Sequence, residues 1–75
     1  MAYPINQVEY YRMRYPSGTK LRLTSPIQDP YSPKSVGDIM VVEYIDDMAQ
    51  IHGSWSSGGS LAIIIEQDDF EIVND

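Results

Sequence analysis

The spacing of apolar residues along the chain changes once. Val8, Tyr11 and Tyr15 recur every three or four positions, which lines them along one face of a helix. Asn6 followed by Glu9 is a capping-box-like signal: the Asn6 side chain can take a backbone N–H and Glu9 can reach back. Ile5 and Tyr10 stand at the staple positions on either side of that cap. Arg12 and Arg14 fall in the last turn, where cations suit the helix dipole. Tyr15 precedes Pro16, which disfavours helix, and Gly18 follows. The spacing predicts a helix over 6–14.

From Lys20 onward the period is two, the signature of strands. Lys20-Leu21-Arg22-Leu23 alternates polar and apolar. Thr24–Gly37 holds Pro26, Pro30, Pro33 and Gly37, and reads as a long loop with little regular hydrogen bonding. Strands are then predicted over Asp38–Ile45, Ala49–Trp55, Ser60–Ile65 and Phe70–Val73. Asp46-Asp47, the Ser56-Ser57-Gly58-Gly59 turn and Glu66–Asp69 connect them. Gly58-Gly59 supplies the positive φ of a tight hairpin turn.

A strand, a long loop, a three-strand meander, a short turn and a last strand match a small five-stranded SH3-like barrel. The expected class is mainly β (α+β), one domain over 1–75: helix and turn over 1–18, barrel over 19–75. Alternation points Leu21, Leu23, Met40, Val42, Tyr44, Ile51, Trp55, Leu61, Ile63, Ile65, Phe70 and Ile72 inward. Ile39, Val41, Ala62 and Ile64 then lie on the opposite face and need a cover. The helix, through Val8, Tyr11 and Tyr15, is the economical one, and a dimer partner is the other.

Charge sharpens this picture. The 75 residues carry a net charge of −6. Residues 1–34 hold Arg12, Arg14, Lys20, Arg22 and Lys34 against Glu9 and Asp29, a net of +3. Residues 35–75 hold nine acids and no Lys or Arg, a net of −9. A polyanion meets repulsion over most of such a surface, so direct nucleic-acid binding is not expected. An acidic half suits a basic protein surface or simply keeps the chain in solution. With no cysteine and one histidine, His52, disulfides and His/Cys metal clusters are ruled out within one chain. The longest apolar run, Leu61–Ile65, is far short of the ~20 residues that cross a bilayer. The start of the chain lacks a secretory pattern. A cytoplasmic location, without membrane association, is expected.

Beyond pattern, three segments stand out: Tyr15-Pro16-Ser17-Gly18-Thr19-Lys20-Leu21-Arg22-Leu23, Asp29-Pro30-Tyr31-Ser32-Pro33 and Ile45-Asp46-Asp47-Met48-Ala49-Gln50-Ile51-His52. Their resemblance is to the family known as domain of unknown function 4314, small proteins found mostly in bacteria, phages and other mobile elements. Trp55, Gly58, Ser60, Leu61 and Asp69-Phe70-Glu71-Ile72 extend it over most of the chain. The chain departs from the family pattern at Met40, Ser56-Ser57 and Ile65-Glu66. The resemblance implies the fold and a mobile-element origin, and it implies no enzymatic activity.

The chemistry-bearing groups point the same way. Asp46-Asp47 and Asp68-Asp69 lack the acid spacing of a cation loop, and adjacent strand carboxylates face opposite ways. Neither metal nor cofactor is expected. His52 shares no motif with a nucleophile and alternates away from Ile51 and Trp55. The Asp29–Pro33 loop is stiffened by proline and offers Tyr31, which either lines a ligand groove or folds back over the end of the barrel. Two functions follow as expectations. One is a non-enzymatic interaction module, an accessory or anti-defence protein in the host cytoplasm that binds and blocks a host protein with a basic surface. Its contacts would be Asp29, Tyr31, Asp46, Asp47, Asp68 and Asp69, from a monomer or homodimer. The other is a nucleotide- or signal-sequestering protein acting as an oligomer.

Overall fold

The computed structural model describes residues 5–74, with side chains from residue 7. Helix α1 spans Ile5–Arg14, one residue earlier than the spacing predicts. The Asn6 cap and the Ile5 staple rest on side chains outside the described ones. Five strands follow: β1 (Lys20–Leu23), β2 (Ile39–Ile45), β3 (Gln50–Trp55), β4 (Ile63–Ile64) and β5 (Phe70–Ile72). All pair antiparallel in one sheet of order β4-β3-β2-β1-β5.

The expected SH3-like barrel does not close. Its edge strands β4 and β5 hold two and three residues and do not pair with each other. The predicted Ser60–Ile65 strand shrinks because its backbone bonds elsewhere. The Trp55 indole Nε1 donates to the Leu61 carbonyl at 2.6 Å. Beyond it, the Ile64 N–H donates to Asp68 Oδ2 at 2.8 Å, and the Ile64 carbonyl accepts the amides of Gln67 and Asp68. The fold is therefore mainly β: one unclosed five-stranded sheet and one short helix.

Leu21, Leu23, Met40, Val42, Ile45, Ile51, Trp55 and Ile63 form the core, with Phe70 and Ile72 packed against it. Two expectations change here. Tyr44 points outward, 56% exposed, and Ile45 is buried in its place. The cause is a β-bulge: Val42 faces Gly53 and Tyr44 faces His52, so Glu43 is an extra residue and the alternation skips a beat. Gly53 permits it, since a Cβ there would fall on the Val41 carbonyl.

The helix is also placed differently. Val8 is buried, and Tyr11 and Tyr15 pack against the Leu21–Ile63 cluster, Tyr15 meeting the Phe70 ring edge-on at 5.5 Å. Helix α1 thus adds to the inner core and leaves Val41 37% exposed. Ile39, Ala62 and Ile64 are half-buried. Arg12 fastens the helix to the far end of β2, donating from Nε and an Nη to the Ile45 carbonyl at 3.1 and 3.0 Å. No described helix is long and apolar enough to cross a membrane.

Candidate functional site

The Thr24–Gly37 loop is more ordered than its prolines suggest. Ile27 and Lys34 exchange both backbone hydrogen bonds at 2.9 Å, closing a small hairpin. At its tip Asp29 Oδ1 accepts the amides of Tyr31 and Ser32 at 2.8 and 2.9 Å, an Asx-type turn. Tyr31 stands clear of the protein, 94% exposed, so it does not fold back over the sheet.

Lys34 anchors the loop. It is buried, its ammonium lies 5.1 Å from the centre of the Trp55 ring, and Nζ donates to Ser57 Oγ (3.2 Å) and to the Gly58 carbonyl. Ser57 passes the chain of bonds on to Asp38 Oδ2 at 3.3 Å. The turn beneath needs glycine: Gly59 has φ 87°, and a Cβ there would approach Ser32 Oγ to 2.6 Å and Lys34 Nζ to 3.1 Å. Nothing in the hydrophobic pattern marks Lys34 for burial.

The expected contact residues separate into two regions. Asp29 and Tyr31 belong to the loop docked at the open end of the β2–β3 hairpin. Asp46 and Asp47 lie at its turn. Asp68 is close to that turn in the sheet, because its partner Ile64 lies opposite Gln50. Asp69 turns away and accepts from Ser25 Oγ at 3.1 Å. Among the described residues no hydrogen bond or ion pair joins the two acidic pairs.

Several of these carboxylates have structural duties. Asp46 Oδ1 accepts the amides of Met48 and Gln50 at 2.9 Å each, and Oδ2 lies 2.8 Å from His52 Nε2. Partial burial pushes the Asp46 carboxyl up, but the bonds from His52, Gln50 and Met48 outweigh it and hold it below the ordinary value. Asp47 is ion-paired with Arg12 at 3.1 Å, yet its side chain is 93% exposed. Asp29 and Asp68 each cap backbone amides. Asp47 and Asp69 are the exposed carboxylates of the expected set, while Tyr31 is its exposed aromatic.

A second aromatic site was not visible in the alternation. Tyr44 lies flat on the His52 imidazole, ring centres 4.6 Å apart and planes 7° from parallel. Glu43, the residue before Tyr44, is exposed as well, and its Oε2 accepts from Ser54 Oγ at 3.0 Å. The sequence does carry a signal for it: a lone glycine inside a strand, Gly53, marks a bulge. Among the described residues no group of three or more His, Cys, Asp or Glu could hold a metal ion.

The fold defines a class, small mainly-β domains built on one open antiparallel sheet with a single helix. Within it the chain belongs to the family described as Domain of unknown function (DUF4314), whose model matches residues 5–73. That is the family its motifs resemble. No curated protein and no solved structure matches the chain.

Proposed function

We propose that the chain is a non-enzymatic protein-binding module, which serves a mobile element by engaging and blocking a host protein with a basic surface in the cytoplasm. The observation that carries this reading is Tyr31, 94% exposed on a loop that is braced from both sides. A solvent-facing tyrosine on a floppy loop loses much of its contact energy to ordering on binding. Here the Asp29 turn, the Ile27–Lys34 bridge and the Lys34 anchor have already ordered it. A rigid aromatic of this kind is the usual anchor of an interface. The acidic half draws a basic partner to the domain, each charge acting over about a Debye length, ~8–10 Å in physiological salt.

Capture from host lysate identifies the partner, and binding kinetics test the assignment. Tyr31→Ala is expected to speed dissociation by about 30-fold, the loss of one hot spot of roughly 2 kcal/mol. Asp47→Lys with Asp69→Lys is expected to slow association and flatten its salt dependence. Kinetics indifferent to both variants and to salt would refute the proposal.

A further inference from the structure

We propose that the outer face of the β2–β3 hairpin is a binding site for a cationic side chain, an arginine on an extended basic segment, held between the Tyr44 ring and the Glu43 carboxylate. It shares with the function above only the basic character of the partner. Tyr31 is carried by a loop docked beyond the other end of the hairpin.

The site is built rather than incidental. A regular strand would bury Tyr44, and the bulge at Glu43 is what turns it to solvent. Bulges of this kind re-aim side chains, and this one turns two neighbouring residues, the carboxylate-bearing Glu43 and the aromatic Tyr44, to solvent together. The ring plane is then fixed from behind. Tyr44 stacks on His52, His52 is held by Asp46 at 2.8 Å, and Asp46 is held by the amides of Met48 and Gln50. Solubility asks for none of this, because a lone surface tyrosine needs no oriented support.

The charge around the ring selects the occupant. An aromatic face attracts cations through its quadrupole. Among the described residues the neighbouring Glu43 carboxylate accepts a single hydrogen bond, from the Ser54 hydroxyl, and residues 35–75 hold no Lys or Arg. The cation–π contacts among the described residues are Arg14 over Tyr15 and Lys34 over Trp55, neither of which uses Tyr44. On the β1 side of this face Lys20 lies opposite Val41, and Arg22 is held by Glu71 at 2.9 Å, so a basic segment is confined to the β2–β3 half. Arginine fits better than lysine, since its planar guanidinium stacks on a ring while its N–H fork reaches a carboxylate.

The test is an NMR titration of the full chain with acetyl-Gly-Arg-Gly-Arg-Gly-amide, against the same peptide with citrulline, which is neutral and of the same shape. Saturable shifts at Glu43, Tyr44, His52 and Ser54 are expected with arginine and absent with citrulline. A lysine peptide should bind severalfold more weakly. Tyr44→Leu and Glu43→Gln should each weaken binding at least fivefold with the core resonances unmoved, whereas Tyr31→Ala should leave it unchanged. Four results would overturn the assignment. Citrulline could bind as well as arginine. The arginine shifts could spread over every acidic turn and survive Tyr44→Leu. The same residues could shift on concentrating the protein alone, which would put a second copy there. Or they could shift with adenosine monophosphate and not with the peptide, which would make the ring a base platform.

Discussion

Replacing Lys34 by methionine removes one buried ammonium and leaves most of its apolar stem in place. Two hydrogen bonds from the charged donor, to Ser57 Oγ and the Gly58 carbonyl, are lost, together with the contact over Trp55. Such bonds contribute about 1.5–3 kcal/mol each and the cation–π contact about 0.5–2. Against this, a buried ammonium costs several kcal/mol of hydration that methionine does not forfeit. The net is a destabilisation of about 1–3 kcal/mol, set mainly by the carbonyl and hydroxyl left without their donor. Lys34→Ala also removes three methylenes at about 0.8 kcal/mol each, bringing its cost to roughly 3–5 kcal/mol. A chain of this size has about 4–11 kcal/mol in total, so the alanine variant should be near the edge of folding at 37 °C. Urea unfolding measures the difference, and hydrogen exchange at the Ile27 and Lys34 amides locates it. Both amides should exchange faster in the methionine variant than global destabilisation alone explains, because the bridge they close has lost its anchor. An unchanged urea midpoint with unchanged protection of both amides would show that the Nζ contacts do not hold the loop.

Two other outcomes are expected. Gly53→Ala drives a Cβ onto the Val41 carbonyl and within 3.0 Å of Met40 Cγ, and the backbone oxygen cannot swing aside as a side chain can. It should cost about 1–3 kcal/mol by urea unfolding and disturb the Tyr44–His52 ring contacts seen by NMR; a wild-type midpoint would refute the packing argument. Asp46 has its pKa lowered on folding, so it stabilises the native state above its unfolded pKa of about 3.9, and that contribution fades as the pH falls through the lower folded value. Asp46→Asn should therefore be less stable than wild type at pH 5–7, with the gap narrowing below about pH 4; a gap that does not change with pH would exclude this titration as its source.

Local alternation and turn chemistry were enough to read much of this fold. The helix, β1 and the extents of β2 and β3 are legible from spacing, because each buries one face. The errors have distinct physical origins. Alternation points Tyr44 inward because a period of two cannot register an inserted residue; Gly53, on the neighbouring strand, is the available clue. The strand expected over Ser60–Ile65 is longer than β4 because five apolar residues suggest continuous pairing, while Trp55 and Asp68 take backbone groups that pairing would use. The barrel failed for the same reason, since closure depends on its two shortest strands. On the candidate site, exposure of Tyr31 was one of two outcomes left open by the sequence. Burial of Lys34 was beyond it, because a tertiary contact with a turn more than twenty residues away leaves no local periodicity.

The bonds around Ile64 bear on how this chain behaves in a crowded solution. Leu61–Ile65 is uncharged, free of proline and rich in β-branched residues, and its Ile63–Ile64 strand lies along an open margin of the sheet, the combination that templates cross-β growth. An incoming strand needs a free donor and acceptor to begin its ladder. At Ile64 both are already spent, the N–H on the Asp68 carboxylate and the carbonyl on the amides of Gln67 and Asp68. The carboxylate also sets a negative charge at the place where a second copy would have to dock. Asp68 thereby acts as a gatekeeper folded back on its own edge, sealing the most amyloid-like segment of the sequence with a four-residue loop instead of a neighbouring strand.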